Sequence, residues 1–216
     1  IERYLYHFAE DQAREQCSRF QADEPCTVSS VSVTSAARQL LEQEGYHVVK
    51  QEWRMEITMI EAPPVPNWSY GLLVRSFVPG QDERVVYETI KEAFADLGNR
   101  RQQSFEEWER WAVKREDFDP SLWFLVVEGE QIAGVVLGYS YPDMGWVRQL
   151  AVRRPWRGRG CGLKLLYHAF GVFYRRGLRR VGLVVDSENA TGATRLYERA
   201  GMHVAQQFDT YRKVLL

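Results

Sequence analysis

Cysteine is scarce: three residues in 216, at Cys17, Cys26 and Cys161. So few and so scattered, they exclude a disulfide framework and a zinc knuckle, and they fit a reducing cytoplasm. No apolar run approaches the roughly 20 residues that span a bilayer, which excludes an integral membrane protein. Excess charge is missing too. The net value is −1, which argues against a dedicated nucleic-acid binder. There is no secretory signal, because IERYLYHFAEDQ is charged from its second residue. An initiator Met is also absent, so we expect the chain to begin inside a longer protein. What is present is ordinary: 45% apolar and 26% charged residues, the mix of a soluble globular protein. The length suits one generous domain, or one domain plus a fragment.

The sharpest punctuation is APPVPNW, Ala62 to Trp68. Its prolines forbid helix and interior strand, so residues 61–67 read as a stiff linker. Before it, residues 2–20 read as an amphipathic helix. A strand follows around Val28, Val31 and Val33, then a helix from Ser35 to Glu44 that stops at Gly45, then an extended stretch to Ile60. After the linker, the pattern predicts a strand over 71–77 and helices over 83–96 and 104–114. The second of these carries the cap pattern Ser104-x-x-Glu107. Strands over 123–128, 131–139 and 145–152 come next, the first two joined at Gly129-Glu130. A helix over 160–176, a strand over 181–186, a helix over 190–200 and a final β region over 204–215 complete the chain. We expect hairpins at both β ends. The interleaving predicts a mixed α/β sheet.

A repeat is visible. Shifted by 156, residues 36–60 lie over 192–216, and seven of 25 positions agree, among them Leu40/Leu196, Gly45/Gly201 and His47/His203. Chance would give about two. We therefore expect residues 1–60 to be the C-terminal half of a degenerate copy of the domain over 68–216.

The segment Leu150 to Leu166 carries the chemistry. An apolar strand ends at Val152, a basic turn follows, and Arg157-Gly158-Arg159-Gly160-Cys161-Gly162 opens an amphipathic helix. Glycines let backbone amides approach an anion, and a helix N-terminus adds about half a positive charge. Residues 148–180 hold ten Lys/Arg and no Asp/Glu, which leaves −11 for the rest of the chain. Phosphates of a nucleotide would satisfy that asymmetry. A Walker loop is excluded, since no Gly-Lys-Ser/Thr occurs. A dinucleotide fingerprint fails at its sixth position, Leu163.

This segment resembles the acyl-CoA loop of the GNAT N-acetyltransferases, (Arg/Gln)-x-x-Gly-x-(Gly/Ala). Leu150-Ala151-Val152 and Pro155 also sit where that family has its central strand and turn. The resemblance runs over about Trp68 to Leu216 and includes NATGATRLYERAGM, Asn189 to Met202. It implies the GNAT acyl-CoA N-acyltransferase fold, acetyl-CoA as cosubstrate, and an amine acceptor that is a small molecule or a peptide. It further implies a pantetheine arm between the strand ending at Val152 and the strand over 181–186. Leu150, Ala151 and Val152 would pair with the arm through their backbone. Arg157, Gly158, Arg159, Gly160, Cys161 and Gly162 would surround the pyrophosphate. Arg153, Arg154 and Arg157 read equally as helpers or as a solvated basic face. Asn189 would cap a helix and touch the coenzyme. Tyr197 would donate a proton toward the departing sulfur, as a neutral phenol can at pH 7. Tandem members such as mycothiol synthase and its relatives carry two such domains, and this chain looks like the tail of that arrangement.

One part is missing. Where the family often places a carboxylate base, this chain has Trp146, Arg148 and Gln149. Asp143, Asp186 and Glu188 are the nearest carboxylates, and a water relay is the alternative. Cys161 reads as a small loop residue and His168 as packing. Trp108, Trp111 and Trp123 read either as acceptor-side residues or as packing. No His/Cys/Asp cluster has metal spacing, so no metal is expected. The expectation is a cytoplasmic acetyl-CoA-dependent N-acetyltransferase, a homodimer, with no nucleic-acid or membrane partner. The competing reading is a non-catalytic acyl-CoA-binding regulatory module.

Overall fold

A computed structural model describes residues 2–20, 25–68, 71–95, 103–187 and 192–215. In chain order the elements are α1 (Glu2–Phe20), β1 (Thr27–Ser32), α2 (Ser35–Gln43), β2 (His47–Thr58), β3 (Leu72–Ser76), α3 (Glu83–Phe94), α4 (Phe105–Ala112), β4 (Trp123–Glu128), β5 (Gln131–Ser140), β6 (Gly145–Val152), α5 (Cys161–Arg175), β7 (Arg180–Asp186), α6 (Ala193–Arg199) and β8 (His203–Val214). This is the mixed α/β class expected from the pattern. β4 and β5 form the hairpin expected at Gly129-Glu130, but the hairpins expected before Ile60 and at the chain's last β region are not formed. β2 and β8 are single strands of 12 residues each. Neither carries the Gly, Pro or Asn that a tight turn requires.

The chain divides into two compact units, Ile1–Arg54 with Asp186–Glu188 and Ala205–Leu216, and Met55–Val185 with Asn189–Val204. In the first, β1 pairs antiparallel with β8, from Thr27 opposite Val214 to Ser32 opposite Asp209. Leu41, Tyr46 and Tyr211 form its buried core, with Tyr6 and Val28 against them. Asp209 is buried and is held by Arg38, by Gln51 at 3.0 Å and by Gln207 at 2.8 Å. Cys17 and Cys26 form a disulfide, with their Cα atoms 5.9 Å apart. A single bond is not a framework, but it departs from the reducing compartment expected from the cysteine count. α1 ends close to the start of β1, and that proximity is not written in cysteine count or spacing. Cys161 stays free and buried.

The stretches related by the 156-residue shift end their helices alike. β2 spans 47–58 and β8 spans 203–214. Each is entered from a helix through a glycine of positive φ, Gly45 at 80° and Gly201 at 89°. The closing hydrogen bonds correspond one to one. Glu44 donates to Leu40 O, Gly45 to Glu42 O and Tyr46 to Leu41 O; Ala200 donates to Leu196 O, Gly201 to Glu198 O and Met202 to Tyr197 O. Backbone donors turning onto the last carbonyls behind a left-handed glycine are a common helix stop.

In the second unit the strands lie in the order β7-β6-β5-β4-β3. β3 to β6 are antiparallel neighbours, and β6 and β7 are parallel. α5 packs on one face: a Cβ on Gly145 would lie 2.6 Å from the Phe173 ring, and one on Gly134 would lie 3.3 Å from Leu165. α3 and α4 lie on the other face. There Tyr139 Oη donates to Ala112 O at the end of α4. Ser104 and Glu107 form the expected capping box. Trp108 and Trp123 are core residues, with rings 6.0 Å apart and Phe77, Phe118 and Tyr139 around Trp123.

An ion pair between exposed Arg75 and buried Asp82 ties β3 to the start of α3. Asp82 is 5% exposed and accepts from Arg75 at 2.5 and 2.8 Å and from the Val78 amide at 2.7 Å. Burial by itself raises its pKa, but Arg75 and the Val78 amide outweigh burial and hold it below the ordinary value. A lowered native pKa stabilises the fold above the unfolded value of about 3.9, and that stability is lost as pH falls through the native value. Asp82→Ala is therefore expected to cost about 1–2 kcal/mol at neutral pH, since it removes a charged acceptor from the Val78 amide and from an Arg75 guanidinium that water still reaches. It should also flatten the acid limb of the stability curve. Urea melts at pH 7 and pH 3 check both.

Candidate active site

The central feature is the end of β6. A bulge interrupts its pairing with β5: Gln149 faces Leu137 and Val147 faces Gly138, so Arg148 is the extra residue. A bulge bends and twists the strand that carries it. On the other side, β6 meets β7 over Gly145↔Val181 and Trp146↔Gly182. Beyond these registers the two parallel strands part. Leu150 and Val152, half-buried, lie on the parted stretch of β6 with buried Ala151 between them. This is the split that the resemblance implies.

The chain then makes a one-turn 3-10 helix, Arg154–Trp156, and enters the glycine loop. Gly158 (φ 75°) and Gly160 (φ 77°) are both left-handed, a conformation in which a side chain is strained. A Cβ on either would meet nothing within 4 Å. The loop is therefore open on its outer side, and Gly160 is the N-cap of α5 with no side-chain cap on the helix amides. Lys164 N already donates to Gly160 O. The first-turn amides of Cys161, Gly162 and Leu163 precede it and are the orphan donors of a helix start. Gly162 has a different task. A Cβ there would lie 2.8 Å from Leu196 Cδ1, so its bareness lets α5 and α6 close on each other. Tyr167 Oη donates to Arg199 O at 3.2 Å and ties the same two helices. Tyr197, the next residue after Leu196, is buried on α6.

The arginines are more committed than the sequence suggested. Arg157 donates to Val152 O at 3.1 Å and to Ala93 O at 2.9 Å, clamping the end of α3 to the end of β6. Arg153 pairs with Glu92 at 2.6 Å, Arg159 lies 3.9 Å from Glu128, and Arg176 pairs with Asp119 at 2.6 Å. Arg180 pairs with Glu56 at 3.1 Å and with Asp143 at 3.2 Å. Carboxylates from other elements thus neutralise much of the basic stretch, and a charge count along the sequence cannot register that. Burial pushes the Cys161 thiol up, which disfavours a thiolate there. His168 packs edge-on to Phe124 at 4.6 Å, and burial, with Arg175 nearby, lowers its pKa. His168 packs as the sequence reading expects, and Cys161, read as a small loop residue, is buried at the start of α5. Trp111 is half-buried and faces the Arg148 guanidinium at 5.5 Å. Among the carboxylates considered for a base, Asp143 is engaged by Arg180. Asn189 and Glu188 lie outside the described residues. Among the described residues, no cluster of three or more His, Cys, Asp or Glu could hold a metal ion, and no helix is long and apolar enough to cross a membrane.

Fold and site together define a class: a mixed α/β domain whose central parallel pair splits beside a glycine loop that opens a helix. Residues 85–202 match the Acetyltransferase (GNAT) family. The chain is 33% identical over 178 residues to a mycothiol acetyltransferase of Pseudarthrobacter chlorophenolicus, which covers 77% of this chain and 53% of that protein. A mycothiol acetyltransferase of Streptomyces scabiei is 30% identical over 175 residues, covering 77% and 54%. The chain thus spans about half the length of these curated relatives. Among solved structures, a GCN5-related N-acetyltransferase from Sphaerobacter thermophilus superposes with a TM-score of 0.85 at 42% identity, covering 98% of this chain and 67% of that one. A tandem GNAT protein from the clavulanic acid biosynthesis pathway shares the fold, with a TM-score of 0.73 at 15% identity and coverage of 98% and 69%. The chain belongs to the GNAT acetyltransferase family.

Proposed function

We propose that the protein transfers the acetyl group of acetyl-CoA to the amine of a small molecule. The observation that carries this reading is the open glycine loop at the start of α5, beside the split between β6 and β7. Orphan amides and a helix N-terminus suit a pyrophosphate, and a parted strand edge offers unpaired backbone groups to the amides of a pantetheine arm. In this reading Leu150, Ala151 and Val152 hold the arm through their backbone and polarise the thioester carbonyl. Gly158, Arg159, Gly160, Cys161 and Gly162 surround the pyrophosphate, with Arg157 bracing the loop. Asn189 touches the coenzyme, and Tyr197 donates toward the sulfur. The names of the curated relatives favour a small-molecule acceptor over a peptide.

We assign residues 68–216 as the catalytic domain and 1–60 as the tail of a degenerate copy, joined by the linker 61–67. The matched strand lengths and matched helix stops support the repeat. The position corresponding to Tyr197 in that copy is Leu41, so the copy lacks the acid. Consumption of acetyl-CoA implies a cytoplasmic enzyme. For assembly we hold to a homodimer acting without nucleic acid or membrane, which light scattering tests. One observation favours the second reading, a non-catalytic acyl-CoA-binding module: Trp146, Arg148 and Gln149 stand where a carboxylate base is common. CoA release from acetyl-CoA, measured against a panel of primary amines, separates the two. Binding without amine-dependent release would leave the module reading standing.

A further inference from the structure

If β6 carries no base, the base has to come from another strand. The face of the sheet on which it would act can be derived. Tyr197 sits on α6, beside α5, so the acid approaches the split from the α5 face. An attacking amine has to reach the carbonyl carbon from elsewhere, and the α4 face is opposite. Trp146 lies on that face. Its neighbour Gly145 points at Phe173 of α5, side chains alternate along a strand, and its partner Tyr139 bonds to α4.

The end of β2, Met55–Thr58, belongs to the same unit and runs beside β7. Met59 N donates to Arg179 O, and Arg180 reaches back to Glu56. These contacts fit an antiparallel register that sets Glu56 opposite Gly182. Gly182 is in turn opposite Trp146. Glu56, Gly182 and Trp146 therefore form one row across three strands. The faces agree. Ile57 Cδ1 lies 3.2 Å from where a Cβ on Gly201 would sit, just past α6, so Glu56 points to the other side. Gly182 leaves the middle of the row bare. A Cβ there would lie 2.7 Å from Trp146 Cζ3, so the indole leans across Gly182 toward Glu56. Glu56 is 8% exposed, and Arg180 holds its Oε2 at 3.1 Å. Asp143 is the second carboxylate on Arg180. A buried carboxylate oriented by Arg180, beside an aromatic face, suits an amine: the ring attracts its positive end and the carboxylate takes its proton.

We propose that Glu56, reached from the strand before the proline linker, is the general base that β6 lacks, with Trp146 as the floor on which the acceptor amine rests. This rests on the acetyltransferase reading. The Glu56 carboxylate first takes a proton from the ammonium, and the neutral amine nitrogen then attacks the thioester carbonyl carbon. The tetrahedral intermediate collapses, the C–S bond breaks, and the departing sulfur, hydrogen-bonded by Tyr197, takes up the proton that the nitrogen releases. The products are the acetamide and CoA thiol. Arg180 orients the carboxylate, and Asp143 lies beyond Arg180 on the solvent side.

The test uses Glu56→Gln, which keeps size and hydrogen bonding and loses basicity, with Glu56→Asp and Asp143→Asn alongside. Acetyl-CoA affinity is measured by calorimetry. Turnover is measured as CoA release from acetyl-CoA alone, where water stands in for the amine, and with glucosamine as a primary-amine probe. Glu56→Gln should bind acetyl-CoA as wild type does and turn over about 100- to 10,000-fold more slowly. Its rate should also lose the rise with pH that marks release of a proton from the base. Glu56→Asp should recover part of the rate, and Asp143→Asn should stay within about threefold of wild type. A Glu56→Gln enzyme that binds acetyl-CoA and keeps the wild-type rate and pH profile overturns the base assignment alone. Wild-type protein that binds no acetyl-CoA overturns the acetyltransferase reading, and this proposal with it.

Discussion

Gly160→Asp is expected to raise the Kd for acetyl-CoA by roughly 100-fold or more, about 2.8 kcal/mol, in a protein that still folds. Among the described residues other than its own chain neighbours, nothing lies within 4 Å of the new Cβ, so the side chain enters the open space in front of α5. It carries a negative charge into the one place where helix amides gather. The left-handed backbone at φ 77° adds strain, but Asp is among the residues that tolerate it best. Gly160→Asn has the same shape without the charge. The difference between the two variants isolates electrostatics, and it should shrink as salt is raised. Calorimetry over a salt series measures it. Equal, undiminished affinity in both variants would remove the pyrophosphate from this loop.

Tyr197→Phe is the second large effect. The ring remains and only the hydroxyl is lost, so packing between α5 and α6 and acetyl-CoA affinity should hardly change. If the hydroxyl serves the leaving sulfur, its contribution grows in the transition state and the loss falls on kcat. General-acid assistance contributes about 100- to 10,000-fold, and a drop in that range is expected. A thiolate is a weaker base than a phenolate, so hydrogen bonding during collapse is favoured over a completed transfer. Single-turnover kinetics with chemistry rate-limiting reads this directly. Wild-type turnover would reduce Tyr197 to a packing residue.

Much of this is legible in the sequence. β4 and β6 begin and end at the residues expected, the Ser104 cap forms as written, and the glycine loop opens α5 one residue after its expected start. These features are local: a cap, a turn glycine or a period-2 run is decided by neighbours in sequence. What escaped was decided across the fold. Ten basic residues without an acid among them looked like a surface awaiting a polyanion. Glu92, Glu128, Asp119 and Glu56 answer several of them from distant elements. The Cys17–Cys26 bond depends on where α1 ends in space. The bulge at Arg148 is a register property of two strands, and no single strand displays it. Gly162 matched the loop pattern and was read with the pyrophosphate. Its nearest obligation is to Leu196, a contact that becomes visible only when the two helices are side by side.

The pairing of β1 with β8 has a consequence for how the chain is made. Thr27 waits for Val214, and Ser32 for Asp209. On a ribosome, which emits the N-terminal end first, the unit whose residues appear earliest lacks one of its strands until the end of this chain has emerged. The second unit needs nothing later than Val204 and can close before then. Synthesis order and completion order are therefore reversed. During that interval β1 carries an unpaired edge beside Leu41 and Tyr46, which still wait for Tyr211, and such a surface captures other chains.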